Sequence, residues 1–190
     1  MKSNCMDKKE LRNIMMNRRN RLSKNEVDAF SKCIANYVIK SDLFKESSHI
    51  CIYQAFRNEV SCDVIMKEAF LKGKHVYVPV TDMGTKTMEF YEIFEDTKWI
   101  LGAYGIKEPC LSNQQPVLNE KALICMPGLL FDKEKHRIGY GGGYYDKYFM
   151  LHPMHTKIAL CYEFQIIETL PFEEHDILPD YIVTEKGIIA

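Results

Sequence analysis

Apolar residues recur with two different periods along this chain, and the change of period divides it. From Asp7 to Leu22 they return every three to four positions, with Leu11, Ile14, Met15 and Leu22 on one stripe. That spacing predicts an amphipathic helix capped by Asp7. Ser23 and Glu26 form a capping box for a second helix reaching about Lys40, with Ile34, Tyr37 and Val38 on its apolar face. From residue 49 the pattern shortens. "HICIYQAF" (49–56) is apolar almost without alternation, as a strand covered on both faces would be. "HVYVPV" (75–80), "ALICMPGLLF" (122–131, broken at Pro127–Gly128), "KIALCY" (157–162) and "DYIVTE" (180–185) read as further strands. "MEFYEI" (88–93) does alternate and reads as a strand towards an edge. Helices are expected after Ser61, ending at Gly73, and over "YYDKYFM" (144–150). Strands alternating with helices predict an α/β fold: a three-layer α/β/α sandwich with a largely parallel central sheet, as one domain over 1–190.

Charge changes the picture by exclusion. Twenty-five basic residues balance 26 acidic ones, for a net charge of −1. No basic field is present for a nucleic acid or an acidic membrane surface, so neither is expected as a partner. The seven cysteines (Cys5, Cys33, Cys51, Cys62, Cys110, Cys125, Cys161) are odd in number and widely spread. Cys33, Cys51, Cys125 and Cys161 lie in apolar stretches and are expected as buried thiols of a reducing compartment. The first 20 residues hold no apolar signal segment, and no run approaches the ~18 residues of a membrane span. A cytoplasmic protein is expected.

The chemistry concentrates in "RIGYGGGYYDKY" (137–148), where four glycines fall within five positions. Glycine at that density is costly unless backbone must bend or approach something closely. The stretch follows a predicted strand and opens a predicted helix. In that context crowded backbone N–H groups and a helix N-terminus favour a phosphate. Arg137 in front is suited to pair with it, and Asp146 behind is suited to hold Mg²⁺ on a nucleoside triphosphate. The spacing is neither that of a Walker A loop nor GxGxxG. A tight turn packed by aromatics is the alternative, and both readings stand on the residues alone.

"MPGLLFDKEKHRIGYGGGYYDKY" closely resembles the signature of the 5-formyltetrahydrofolate cyclo-ligase family. Other segments fit in the same order: Lys8 and Arg12 as K-x-x-x-R on the first helix, Glu59 in "RNEV", "GIKEP" (105–109), and the late "LPFEEHDILPDYIVTE". The resemblance spans nearly the whole chain. It implies an enzyme that uses MgATP to cyclise 5-formyltetrahydrofolate to 5,10-methenyltetrahydrofolate, on a fold like that of sugar-phosphate isomerases and CoA transferases. It implies ATP contacts from Lys8, Arg12, Arg137, Ile138, Gly139, Tyr140, Gly141, Gly142, Gly143, Tyr144 and Tyr145. Folate contacts are implied from Gln54, Glu59, Tyr104 and the loop's Tyr140 to Tyr144. Arg137, Tyr144 and Lys8 are implied at the chemistry, and Asp146 with Asp176 at the metal, Glu174 being the alternative to Asp176. A monomer with small-molecule partners only is expected. His136 is read as loop surface and Trp99 as packing. His152 and His155 are the nearest approach to metal spacing among the histidines, and a weak one.

Rival classes are an α/β enzyme acting on sugar phosphates or acyl-CoA without ATP, and a nucleotide- or folate-binding protein without turnover. The presence together of Lys8, Arg12, Glu59, Arg137 and Asp146 argues against a copy that has lost its chemistry.

Overall fold

The computed structural model describes residues 7–102, 105–111, 116, 118, 120–173 and 176–190. Two helices open the chain. α1 (Lys8–Asn20) is capped by the Asp7 carboxylate, which accepts from the Glu10 N–H, and α2 (Lys24–Lys40) carries the Ser23–Glu26 capping box in full. A short α3 (Asp42–Glu46) buries Phe44 and leads into β1 (His49–Cys51), after which α4 (Asp63–Leu71) crosses over to β2 (His75–Asp82). Next come β3 (Thr87–Ile93) and a small hairpin of β4 (Trp99–Leu101) and β5 (Lys107–Pro109). β6 (Leu123–Met126) precedes β7 (Leu130–Asp132), β8 (Arg137–Ile138) and α5 (Tyr144–Leu151). The chain finishes through β9 (Thr156–Leu160), β10 (Ile166–Ile167), β11 (Tyr181–Thr184) and β12 (Gly187–Ile189).

Seven strands make the central sheet, in the order β12-β11-β9-β6-β1-β2-β3. The four pairings from β11 to β2 are parallel, and the two edge strands, β12 and β3, run antiparallel to their neighbours. The runs with little alternation are explained by what lies on each face. Ile50, Val76, Leu123, Cys125 and Ile158 point into a core shared with Ile34, Val38, Ile65 and Ala69 of α2 and α4. Their chain neighbours Cys51, Tyr77, Ile124, Met126 and Ala159 point the other way, against Tyr148 and Phe149 of α5. A strand buried on both faces has no polar side to display. The largely parallel sheet with helices on both faces is the architecture expected.

A third, smaller core sits beside the sheet. β6 stops at Pro127–Gly128, and the chain turns into a three-stranded sheet, β10-β7-β8, on which Leu11 and Met15 of α1 pack. This sheet connects β6 to the glycine loop and sets where that loop lies.

Some expectations change in detail. The strand expected over 49–56 keeps its ladder only to Cys51, because Arg57 and Asn58 adopt left-handed backbone (φ 48° and 55°) and the chain turns off the sheet to reach them. On α1 the buried stripe is Leu11, Met15 and Arg19, while Ile14 is 48% exposed. Tyr37 is also exposed, and Ser31 and Ala35 take its place in the core. Cys33 is only half-buried, its thiol donating to the Glu185 carbonyl at 3.2 Å, and Cys62 is buried in its stead. Ser61 is not the cap of α4: the N-cap is Cys62, which makes no side-chain cap bond, and Ser61, one residue earlier, accepts only from the Asp63 N–H at 3.1 Å. Trp99 packs against the larger core as expected.

Candidate active site

The carboxyl ends of β1, β2 and β6, the glycine loop and the start of α1 enclose a cavity of about 900 Å³. That is near the top of the range of about 300–1,000 Å³ typical of small-molecule sites. Its position outside the carboxyl ends of parallel strands is where open α/β sheets bind ligands.

One end of the cavity is crowded with charges of both signs, Lys8, Arg12 and Arg137 with Asp146, Glu173 and Asp176. β8 feeds the glycine loop, in which Gly141 (φ 100°) and Gly143 (φ 66°, at the N-cap of α5) hold backbone that side chains rarely adopt. The loop therefore delivers its amides next to the N-terminus of α5, a favourable place for an anion. Arg12 braces it from α1, its Nε donating to the Gly139 carbonyl at 2.9 Å. Arg137 crosses beneath. Its Nη2 donates to both oxygens of Asp146 at 2.9 and 3.1 Å, and its Nη1 to the Pro127 carbonyl at 3.3 Å. The Arg137 Nε is buried with no hydrogen-bond partner among the described residues. One turn before Arg12, Lys8 reaches Glu173 and Asp176, both at 2.9 Å. Partial burial lowers the Lys8 pKa, but the hydrogen bonds it donates to the Asp176 and Glu173 carboxylates, with their charge, outweigh it and leave it above the ordinary value. The Ile177 N–H donates to Asp146 at 3.4 Å, so the segment carrying Asp176 docks on the segment carrying Asp146.

The other end is buried and tightly bonded. Glu59 is 6% exposed. Its Oε2 accepts from the Phe56 N–H and its Oε1 from the Tyr140 hydroxyl, each at 2.9 Å. Arg19, 1% exposed, places Nη1 3.9 Å from Glu59 Oε1. The left-handed Arg57–Asn58 turn is held from α1: Arg19 Nε donates to the Arg57 carbonyl at 2.9 Å, and Asn58 Nδ2 to the carbonyls of Arg19 and Leu22. Burial pushes the Glu59 carboxyl above its ordinary value, against the opposing pull of Arg19, the Phe56 N–H and the Tyr140 hydroxyl.

A loop that can cradle phosphate at one end and a fixed carboxylate at the other suit a cavity for two substrates. Comparison with known proteins gives the family. The 5-formyltetrahydrofolate cyclo-ligase family profile matches residues 4–185. This chain belongs to the 5-formyltetrahydrofolate cyclo-ligase family. The solved structure of Aquifex aeolicus 5,10-methenyltetrahydrofolate synthetase superposes with a TM-score of 0.81 at 30% identity, covering 96% of this chain and 92% of that one. The 5-formyltetrahydrofolate cyclo-ligase of Mus musculus is 29% identical over 95% of this chain and 94% of its own length. That of Haemophilus influenzae is 32% identical over 70% and 73%.

The cyclo-ligase cavity gathers Lys8, Arg12, Gln54, Glu59, every residue from Arg137 to Asp146, and Asp176 on one wall or another. Tyr104 and Glu174 lie outside the described residues. One sequence expectation is corrected. His136 is not loop surface: its side chain is 16% exposed and Nδ1 donates to the fully buried Asp132 at 2.9 Å. Its ring stacks on Phe172 with centroids 3.9 Å apart. Asp132 also accepts from the N–H groups of His136 and Leu170, so it pins the turn before the glycine loop to the segment leading to Glu173. Sequence reasoning missed two residues, Asp132 and Arg19. The available signals were an aspartate directly after a buried strand, and an arginine eight positions after Leu11 on the apolar stripe.

Proposed function

We propose that this chain binds MgATP and 5-formyltetrahydrofolate together in the one cavity and joins their chemistry, releasing 5,10-methenyltetrahydrofolate, ADP and phosphate. The observation that carries the reading is the convergence of Lys8, Arg12 and Arg137 on the glycine loop, with Gln54 and Glu59 across the same cavity. An amide oxygen is a poor leaving group. If the formyl oxygen attacks the γ-phosphorus, ADP leaves and the oxygen becomes a phosphate ester of an imidate. N10 of the folate then adds to the formyl carbon and loses its proton, and the C–O bond breaks to release phosphate and close the ring. The protein's contribution is alignment and neutralisation of charge. Lys8, Arg12 and Arg137 take the phosphates with the loop amides from Ile138 to Tyr145. Tyr144 packs under Gly142, where the two substrates would meet. Glu59 and Gln54, with Tyr140 to Tyr144, orient the folate, and Tyr104 belongs with them by resemblance to the family.

Magnesium fits this site. Among the described residues no cluster of three or more histidines, cysteines or acids makes a protein-only cage. Magnesium on phosphates takes only one or two carboxylates, and Asp146 beside the docked Asp176 segment offers that number. When bound it supplies charge neutralisation on the phosphates. The buried free thiols Cys51, Cys62, Cys125 and Cys161 support a reducing compartment such as the cytoplasm.

The test is the near-ultraviolet absorbance of methenyltetrahydrofolate, followed with purified protein, 5-formyltetrahydrofolate, ATP and Mg²⁺. Growth of the signal that needs both ATP and metal is expected. ATP-independent turnover of a sugar phosphate or an acyl-CoA would replace the reading with another.

A further inference from the structure

Arg19 is among the largest fully buried side chains, and the loop and folate contacts described above do not require it. A buried guanidinium is costly unless every direction it points in is answered. Here the answers come from three separate segments of the cavity wall. Nε donates to the Arg57 carbonyl, Nη1 to the Gly128 carbonyl at 3.4 Å, and Nη2 to the Tyr140 hydroxyl, over whose ring the guanidinium also lies at 5.4 Å. The same Tyr140 hydroxyl donates to Glu59. One hydroxyl in the middle of the glycine loop thus touches both the fixed arginine and the carboxylate of the opposite end.

We infer that Arg19 is a positioning residue that couples the two ends of the cavity through the Tyr140 hydroxyl, so that nucleotide and folate each strengthen the binding of the other. The inference rests on the two-substrate reading above. The physical route is short. A nucleotide on the loop fixes residues 139–143, and with them the Tyr140 hydroxyl against Glu59. Glu59 then has one oxygen held by Tyr140 and the other by Phe56, and it offers its remaining lone pairs in one orientation to the N–H donors of a pterin. A pterin on Glu59 favours the same arrangement, so the loop is already placed when nucleotide arrives. Coupling of this kind is reciprocal and of order 5- to 150-fold.

The experiment is calorimetric titration of 5-formyltetrahydrofolate into the whole chain, with and without a non-hydrolysable ATP analogue and Mg²⁺. It is run on the native protein and on Tyr140→Phe and Arg19→Lys. The readout is the ratio of the two folate affinities. A merely structural role would shift both affinities and leave that ratio alone. We expect a ratio of at least about 5 in the native protein, falling towards one in both variants. A native ratio near one, with product still formed from ATP, overturns the coupling and leaves the proposed reaction intact. A native ratio that survives Tyr140→Phe overturns the route through the hydroxyl. A ratio lost in Tyr140→Phe but kept in Arg19→Lys removes Arg19 from it. Absence of folate binding and of product under every condition overturns the two-substrate reading itself.

Discussion

The two ends of the cavity solve the problem of charge in opposite ways. At the loop end, Lys8 and Arg137 are paired with Asp176 and Asp146, at positions where water and ligand can reach at least one partner: Asp146 is 25% exposed and Lys8 23%. At the far end, Arg19 and Glu59 are both almost fully buried, are hydrogen-bonded to backbone and to the Tyr140 hydroxyl, and face each other as an ion pair at 3.9 Å. The first arrangement can be exchanged. A phosphate can take the cation and a metal the carboxylate without stranding either. The second cannot open without leaving a charge unanswered in the interior, so it holds geometry. A site that must bind a highly charged co-substrate and align a second one needs both.

Breaking the buried end should have the largest effect. Arg19→Met leaves Glu59 buried beside a thioether, and removing one partner of such a pair typically costs about 3–5 kcal/mol. Urea denaturation of the variant should show that loss. A cost under about 1 kcal/mol would mean the two ends do not differ in kind. Next comes Asp146→Asn. Turnover should fall by about 10²–10³-fold, the scale of losing one preorganised charge contact at a phosphoryl transfer, with far less effect on folate binding. Because the substitution also frees Arg137, metal-free ATP should bind the variant more tightly than the native protein, which equilibrium titration in EDTA would detect. Full turnover in Asp146→Asn would remove that residue from the metal's surroundings.

How much of this contrast could be read from the chain itself follows from what sets each part. The capping box at Ser23–Glu26 and the doubly covered strands are local patterns, and they stand as expected. The glycine loop was legible because positive φ and crowded amides demand one residue type. The buried end was not. "NRRNRL" offers Arg18, Arg19 and Arg21 with equal composition. Only the helical register places Arg19 on the inner face, and only the fold brings Gly128, Arg57 and Tyr140 to it. The end of β1 was hidden for a related reason. Arg57 and Asn58 take left-handed backbone without a glycine to mark it, and tertiary bonds from α1 hold the turn in place. His136 was misplaced because its burial depends on Asp132 and on Phe172, 36 residues further on in a segment with no regular structure.

Acidity tests the same difference more gently. Burial raises the Glu59 pKa in the folded state above its ordinary 4.5. A raised folded value means that the folded state holds the proton more strongly than the unfolded chain. The associated stability is therefore present below about pH 4.5 and is lost as the pH rises through the folded value. Glu59→Gln has no such proton, so the native protein should lose stability relative to this variant between pH 4 and neutrality. Denaturant midpoints measured across that range should converge at the acidic end. Parallel curves would mean that Arg19 and the hydrogen bonds cancel the cost of burial.

The smallest effect belongs to the exposed pair. Glu173 is 56% exposed and its bond to Lys8 lies at the rim. Exposed ion pairs contribute about 0–1 kcal/mol, because solvent screens them and ordering two long side chains offsets the attraction. Glu173→Gln should therefore shift the denaturation midpoint slightly in dilute buffer. The shift should vanish near 1 M salt, where the screening length falls to about 3 Å. If Glu173→Gln instead destabilised the protein as much as Arg19→Met, and did so independently of salt, the loop-end pairs would be structural. Phosphate would then have to break them rather than replace them.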